Sequence, residues 1–209
     1  MKKFIKIMLL ITAISVVGVA LPYSPMLGER LTVQTLPTNQ EVREGDIIFQ
    51  TSKSRQSPLL QVATRSKITH CGIIVMRDGK PYVLETLKTL VVTPLDKFIA
   101  RGEGGRYWLK RADVESVNIE YGKYLGKPYD LAFSFDNDTY YCSELVYDIY
   151  LNQLGIKLCE PKKVGDYLIL CTDKLPIIEK EMSRRGITTE QQAVAPVDIF
   201  ESNLLKDVK

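Results

Sequence analysis

The chain has 209 residues, 45% of them hydrophobic and 25% charged, with a formal net charge of +3. That excess belongs to Lys2, Lys3 and Lys6, which have no acid near them, so the rest of the chain is balanced. With mixed charges, no basic stripe and no aromatic platform motif, nothing points to a nucleic-acid partner.

Lys2, Lys3 and Lys6 precede a short apolar core from Ile7 to Val19, and Gly18-Val19-Ala20 offers small residues for cleavage. This is the pattern of a secretory signal peptide over residues 1–20. At about 1.5 Å per residue the apolar run spans about 20 Å, short of the roughly 30 Å hydrocarbon layer, so no stable transmembrane span is expected once it is removed. The mature protein is therefore expected to be exported, either periplasmic or secreted. Residues 21–40, with Pro22, Pro25 and Pro37 and no clear period, read as an extended lead-in. Residues 41–209 suffice for a single domain with a full core.

Asp46 to Gln50 reads as a strand, and Pro58 to Arg65 as a helix with Leu59, Val62 and Ala63 inward. The serine-rich loop between them, Ser52 to Ser57, is expected to lie against the strand that follows. That strand, His70 to Met76, is joined by the two-residue turn Asp78-Gly79 to a returning strand, Pro81 to Thr86. Arg77 then pairs with Lys80, and Glu85 falls opposite Gly72. Because side chains alternate, His70, Gly72 and Glu85 share one face, with Glu85 diagonal to His70 across a small glycine. A four-residue loop would instead bring Glu85 opposite Ile74. Leu90 to Val92 reads as a strand, Pro94 to Ala100 as a short helix, Arg106 to Lys110 as a strand, and Glu115 to Leu125 as a helix closed by Gly126 and Pro128.

The stretch from Asp138 to Leu154 carries the chemistry. Leu145, Val146, Ile149 and Leu154 recur at helical spacing, Asp138 or Thr139 can cap the first turn, and Gly155 ends the helix. Cys142 then sits in the first turn, where the helix dipole and free N–H groups favour a thiolate. Cysteine is equally at home as a small buried residue, so a base is needed to decide. The chain has one histidine, His70. A lone histidine is usually structural, but this one has a carboxylate, Glu85, placed to orient it. Cys71 alternates onto the opposite face of its strand and reads as a core residue. Cys159 and Cys171 could form a disulfide, which neither spacing nor context decides. His70-Cys71 side chains diverge, so no zinc site is expected, and no cofactor motif occurs. Beyond Gly155, Pro176 to Arg185 reads as a helix and Gly186 to Ala195 as a surface loop. Short antiparallel strands with helices that do not alternate with them imply an α+β fold.

Gly45-Asp46-Ile47-Ile48-Phe49-Gln50, Gln56-Ser57, Ala63-Thr64, His70-x-Gly72, Tyr124-Leu125-Gly126-Lys127-Pro128-Tyr129-Asp130 and Tyr141-Cys142-Ser143-Glu144 together resemble the YiiX/YebB-like family. That family is a circularly permuted branch of the NlpC-type, papain-fold cysteine hydrolases. The likeness runs in order from about Gly45 to Leu154, with a weaker echo at Val194 to Phe200. It implies a permuted papain-like fold, an antiparallel sheet packed against helices with the nucleophile at a helix N-terminus. It also implies Cys142 as nucleophile, His70 as base and Glu85 as third member of a triad. The oxyanion would be met by the Cys142 N–H, with Gln56 or Tyr141 as second donor unless these are structural. The expected activity is hydrolysis of a peptide or isopeptide bond, including those of peptidoglycan fragments. The alternatives are a lipid acyl hydrolase or acyltransferase using the same thiol on an acyl-lipid substrate, and a non-catalytic binding module, since this fold hosts several chemistries.

Overall fold

A computed structural model describes residues 41–208 except 116, 136, 170, 172 and 173. The expected signal peptide and lead-in lie outside the described residues. Those described fall within one compact unit, Val33–Lys209.

In chain order the elements are β1 (Ile47–Gln50), α1 (Ser57–Thr64), β2 (His70–Arg77), β3 (Lys80–Thr86), β4 (Leu90–Pro94), α2 (Leu95–Ala100), β5 (Trp108–Ala112), α3 (Cys142–Leu154), β6 (Lys162–Lys163), α4 (Val164–Leu168), α5 (Leu175–Arg185), β7 (Gln192–Ala193), α6 (Pro196–Phe200) and β8 (Leu205–Asp207). Six strands form an antiparallel sheet in the order β4-β3-β2-β1-β5-β8. This is the α+β architecture expected. Alternation along the central strands feeds two cores. Ile47, Phe49, Cys71, Ile73 and Val75 face Leu145, Val146 and Ile149 of α3, while Ile48, Ile74 and Val83 face Leu95, Phe98 and Ile99 of α2. A third, smaller cluster joins Cys171, Ile178 and Met182 to Leu59, Val62 and Ala63 of α1.

The β2–β3 hairpin has the expected register. Asp78 and Gly79 both adopt positive φ, 49° and 70°, the backbone that a tight two-residue hairpin turn needs, and Arg77 pairs with Lys80. The pairing Ile73 with Leu84 carries Glu85 to the level of Gly72.

Two expectations are corrected, and one question left open by the sequence is answered. Across the described residues of 115–125 there is no helix. Their backbone groups are held by distant side chains instead: Ile119 N–H donates to Glu44 (2.9 Å), and Glu120 exchanges two hydrogen bonds with the Gln153 amide (2.9 and 3.0 Å). Such bonds satisfy the backbone outside a helix ladder. Gly186 to Ala195 is not wholly a surface loop, since it contains β7 and buries Val194. Cys159 and Cys171 are unpaired and sit in different packing environments, the first against the α3 core and the second in the α1–α5 cluster. Among the described residues no helix is long and apolar enough to cross a membrane.

Candidate active site

Cys142 is the first residue of α3, nearer the helix end than the proposed caps allow. Asp138 pairs instead with Lys127 (2.6 Å), and the Thr139 hydroxyl donates to Asn137. The N-cap is Tyr141, in extended backbone, and its N–H is accepted by the Glu144 carboxylate reaching back from the first turn (3.3 Å). A brace from Val194 fixes this corner: its N–H donates to the Tyr141 hydroxyl (3.1 Å), and its carbonyl accepts the Ser143 hydroxyl (2.6 Å). Tyr141 is thereby tied into this corner, its hydroxyl accepting from Val194. Cys142 itself is buried, 5% exposed, with its N–H at the positive end of the helix.

His70 opens β2, beside Gln50 of β1, and its ring stacks on Phe98 of α2 at 5.6 Å. Its Nε2 lies 2.8 Å from Glu85 Oε2, across Gly72. The glycine is required there: a Cβ would stand 2.5 Å from Val83 Cγ1 and 2.7 Å from the Leu84 carbonyl oxygen. Glu85 is fully buried, and its second oxygen accepts from Arg101. Burial alone would raise the Glu85 pKa. The hydrogen bond and charge of His70, with Thr93 and Arg101 behind them, instead hold it below the usual carboxylate range.

The three expected residues converge. With Nε2 engaged by Glu85, Nδ1 is the ring nitrogen left for Cys142, which is near enough to raise the His70 pKa. Burial works against the imidazolium, but Cys142 and Glu85 outweigh it and push the His70 pKa up to about 9. The Cys142 thiol is held well below its ordinary value, first by a hydrogen bond from the Cys71 thiol and then, against burial, by His70. Cys71 thus lies where alternation put it, on the core face, beside Cys142. Burial and Cys142 push the Cys71 thiol in the other direction, well above the ordinary range. His70 thus stands between a buried carboxylate and Cys142, and the two shifts favour the imidazolium and the thiolate.

Sequence reasoning missed Arg101 and Phe98, which hold Glu85 and His70 from α2 and the residue that follows it. Gln56, singled out from the sequence, lines the space beside Cys142, and its Oε1 accepts from the Tyr129 hydroxyl (3.4 Å), which leaves its NH2 free to donate. Cys142 lines a cavity of about 130 Å³ walled by apolar side chains, among them Leu59, Ala63, Leu168, Ile178 and Met182.

The model of the family described as permuted papain-like amidase enzyme, YaeF/YiiX, C92 family, matches residues 41–209. An uncharacterized protein, YiiX of Escherichia coli strain K12, is 37% identical over 172 residues, 78% of this chain and 84% of that protein. The crystal structure of metalloprotein yiiX from Escherichia coli O157:H7 superposes with a TM-score of 0.72 at 36% identity, covering 81% of this chain and 97% of that one. The fold is accordingly the permuted papain-like one. The metal in that name belongs to that protein. Among the described residues here no group of three or more His, Cys, Asp or Glu side chains could hold a metal ion, and the chain's one imidazole is engaged by Glu85 and Cys142.

Proposed function

The chain belongs to the permuted papain-like amidase family, and on that premise we propose that it is an exported cysteine amidase acting through Cys142, His70 and Glu85. The observation that carries this reading is the 2.8 Å bond from His70 Nε2 to a buried Glu85, with Cys142 at a helix start and near enough to raise the His70 pKa. The Cys142 thiolate attacks the amide carbonyl, and the oxyanion is met by the Cys142 N–H and the Gln56 amide. The His70 imidazolium gives its Nδ1 proton to the departing amine as the C–N bond breaks, leaving an acyl thioester. His70, now neutral, takes a proton from water, the hydroxide adds to the thioester, and the acid departs as thiolate and imidazolium re-form. Glu85 holds the ring and stabilises its charged form. The substrate class we favour is a peptide or isopeptide, including peptidoglycan fragments.

The apolar cavity on the Cys142 side supports a second reading, an acyl-lipid hydrolase or transferase using the same thiol. Incubation with peptidoglycan fragments and, separately, with acyl lipids, followed by intact mass of the protein, separates the two by the adduct carried on Cys142. His70→Ala should lower turnover by about a thousandfold, as Cys142→Ala does, and the double variant should be little worse than either. Normal turnover by folded His70→Ala would remove the triad. Absence of any adduct with both substrate sets would favour a non-catalytic binding module. Export rests on the charged leader and short apolar run of residues 1–20. Protein isolated from the cell envelope should lack this segment by mass, whereas full-length chain extracted only by detergent would make it an anchor.

A further inference from the structure

Cys142 and His70 open onto different spaces. The apolar cavity lies on the Cys142 side, and a separate groove, lined by His70, Gln50, Ser52, Thr86 and Lys88, lies on the other. Gln56, Leu60 and Tyr129 line both, so the two spaces meet at the reacting pair. In an acyl transfer the acyl group stays on sulfur while the leaving amine takes its proton from the imidazole. The leaving group therefore occupies the His70 side.

That side is built for something charged. Lys53, Lys88 and Arg101 line it, and no acid does. Glu85 is buried behind His70 with both oxygens taken. Lys53 is drawn to the groove wall by the Ala100 carbonyl (3.3 Å), and the Lys88 carbonyl accepts the Tyr129 N–H (3.0 Å), which ties that loop to the junction of the two spaces. Gln50 and Thr86, both buried, line the groove beside the base. An anion fits the lysines.

Resting on the amidase reading above, we propose that this groove holds the leaving amine and that this amine carries an anionic group, either the carboxylate of an amino acid or the phosphate of a phosphorylated amine. The same site works in reverse. An amine seated there attacks the thioester carbonyl with its nitrogen lone pair, the C–S bond breaks to return the thiolate, and the amine's proton passes to His70.

The test loads Cys142 with acetyl from para-nitrophenyl acetate, whose leaving group needs no anion site. The acetyl-enzyme is then offered glycine against glycinamide and phosphoethanolamine against ethanolamine, and the N-acetyl products are counted by mass spectrometry. Because amines differ in intrinsic nucleophilicity, the quantity read is the anionic-to-neutral ratio in wild type relative to Lys53→Ala/Lys88→Ala. That ratio should fall about tenfold in the variant, the size of one charge-assisted hydrogen bond, and Lys53→Arg/Lys88→Arg should restore it. The glycine arm and the phosphoethanolamine arm tell carboxylate from phosphate. No acetyl on Cys142 would overturn the amidase reading itself. Acetylation followed by the same ratio in wild type and variant would leave that reading standing and overturn the anion site alone.

Discussion

Glu85→Gln isolates what the buried carboxylate does, because it keeps shape and removes charge. Glu85 has two engaged oxygens, one 2.8 Å from His70 Nε2 and one accepting from Arg101. Glutamine has a single oxygen. If that oxygen faces Arg101, its NH2 points at His70 Nε2 and forces the neutral ring to carry its proton on Nδ1, where it cannot act as base towards Cys142. If the oxygen faces His70, NH2 meets guanidinium, donor against donor. Either arrangement loses charge-assisted bonds in a fully buried place. Breaking a buried pair is worth about 3 kcal/mol, here at the lower end because Arg101 is partly exposed and can turn to water. For a domain of this size that lowers Tm by about 10 °C. The sign of the pH dependence follows from the two partners. The His70 pKa is raised, so its contribution is complete below about 6.5, the usual imidazole value, and is lost as pH rises through about 9. The Glu85 pKa is lowered, so its contribution is present above the usual carboxylate range and is lost as pH falls through the folded value. The stability gap between wild type and variant should therefore be widest between those limits and narrow above about pH 9. Thermal melts across pH measure it, alongside kcat/KM profiles. Activity should fall about a hundredfold, less than for His70→Ala, and the alkaline limb should move down from about 9. An unmoved limb with full turnover would take Glu85 out of the triad, and an unmoved limb with lost stability would make it a structural ion-pair residue only.

Gly72→Ala should cost about 2 kcal/mol and most of the activity, since its Cβ would push Val83 and Leu84 away from β2 and with them Glu85 from His70; Gly79→Ala, where a Cβ meets nothing but φ is 70°, should cost about 1 kcal/mol and leave turnover unchanged. Denaturant melts and turnover on the same samples test the contrast, and equal activity losses would detach the strand spacing from the site. Limited alkylation with iodoacetamide at mildly acidic pH should label Cys142 ahead of Cys71 and Cys159, whose thiols are pushed up, in the latter case to about 12. Peptide mapping reads the order, and first labelling of another cysteine would contradict the thiolate assignment.

The pairing of Glu85 with His70 was legible because it depends on a local rule. Asp78-Gly79 can adopt the two positive φ values of a tight hairpin, the turn sets the register, and the register sets the diagonal. The position of Cys142 at a helix start was legible for the same kind of reason, the periodicity of Leu145, Val146 and Ile149, although its cap was not. Asp138 and Thr139 have suitable side chains, yet Glu144 holds the N-cap N–H, and what fixes the corner is Val194, more than fifty residues away. Arg101 was illegible because its role depends on α2 packing Phe98 against His70, a tertiary event with no period in the sequence. The supposed helix at 115–125 failed where propensity is weakest against context, its backbone drawn off by Glu44 and Gln153. The edge strand β8 is three residues long and pairs with β5 across the whole intervening chain, so nothing local marks it.

The pair needs only a strand end beside a helix start, which β2 and α3 supply whatever their order in the chain. Successive residues of a strand point to opposite faces, so His70 turns to the α2 side, where Phe98, Arg101 and Glu85 hold it, while Cys71 turns to the α3 side and donates to the Cys142 sulfur. The residues that meet Glu85 and Cys142 are thus adjacent on one strand. A slip of one residue would exchange them, sending the imidazole into the α3 core and the Cys71 thiol towards the groove. On the proposed mechanism, register is a catalytic requirement as well as a packing one. Two features fix it, the Asp78-Gly79 turn at the far end of β2 and the pairing of Gln50 with His70 at the site itself. The same alternation separates the apolar cavity on the Cys142 side from the cationic groove on the His70 side.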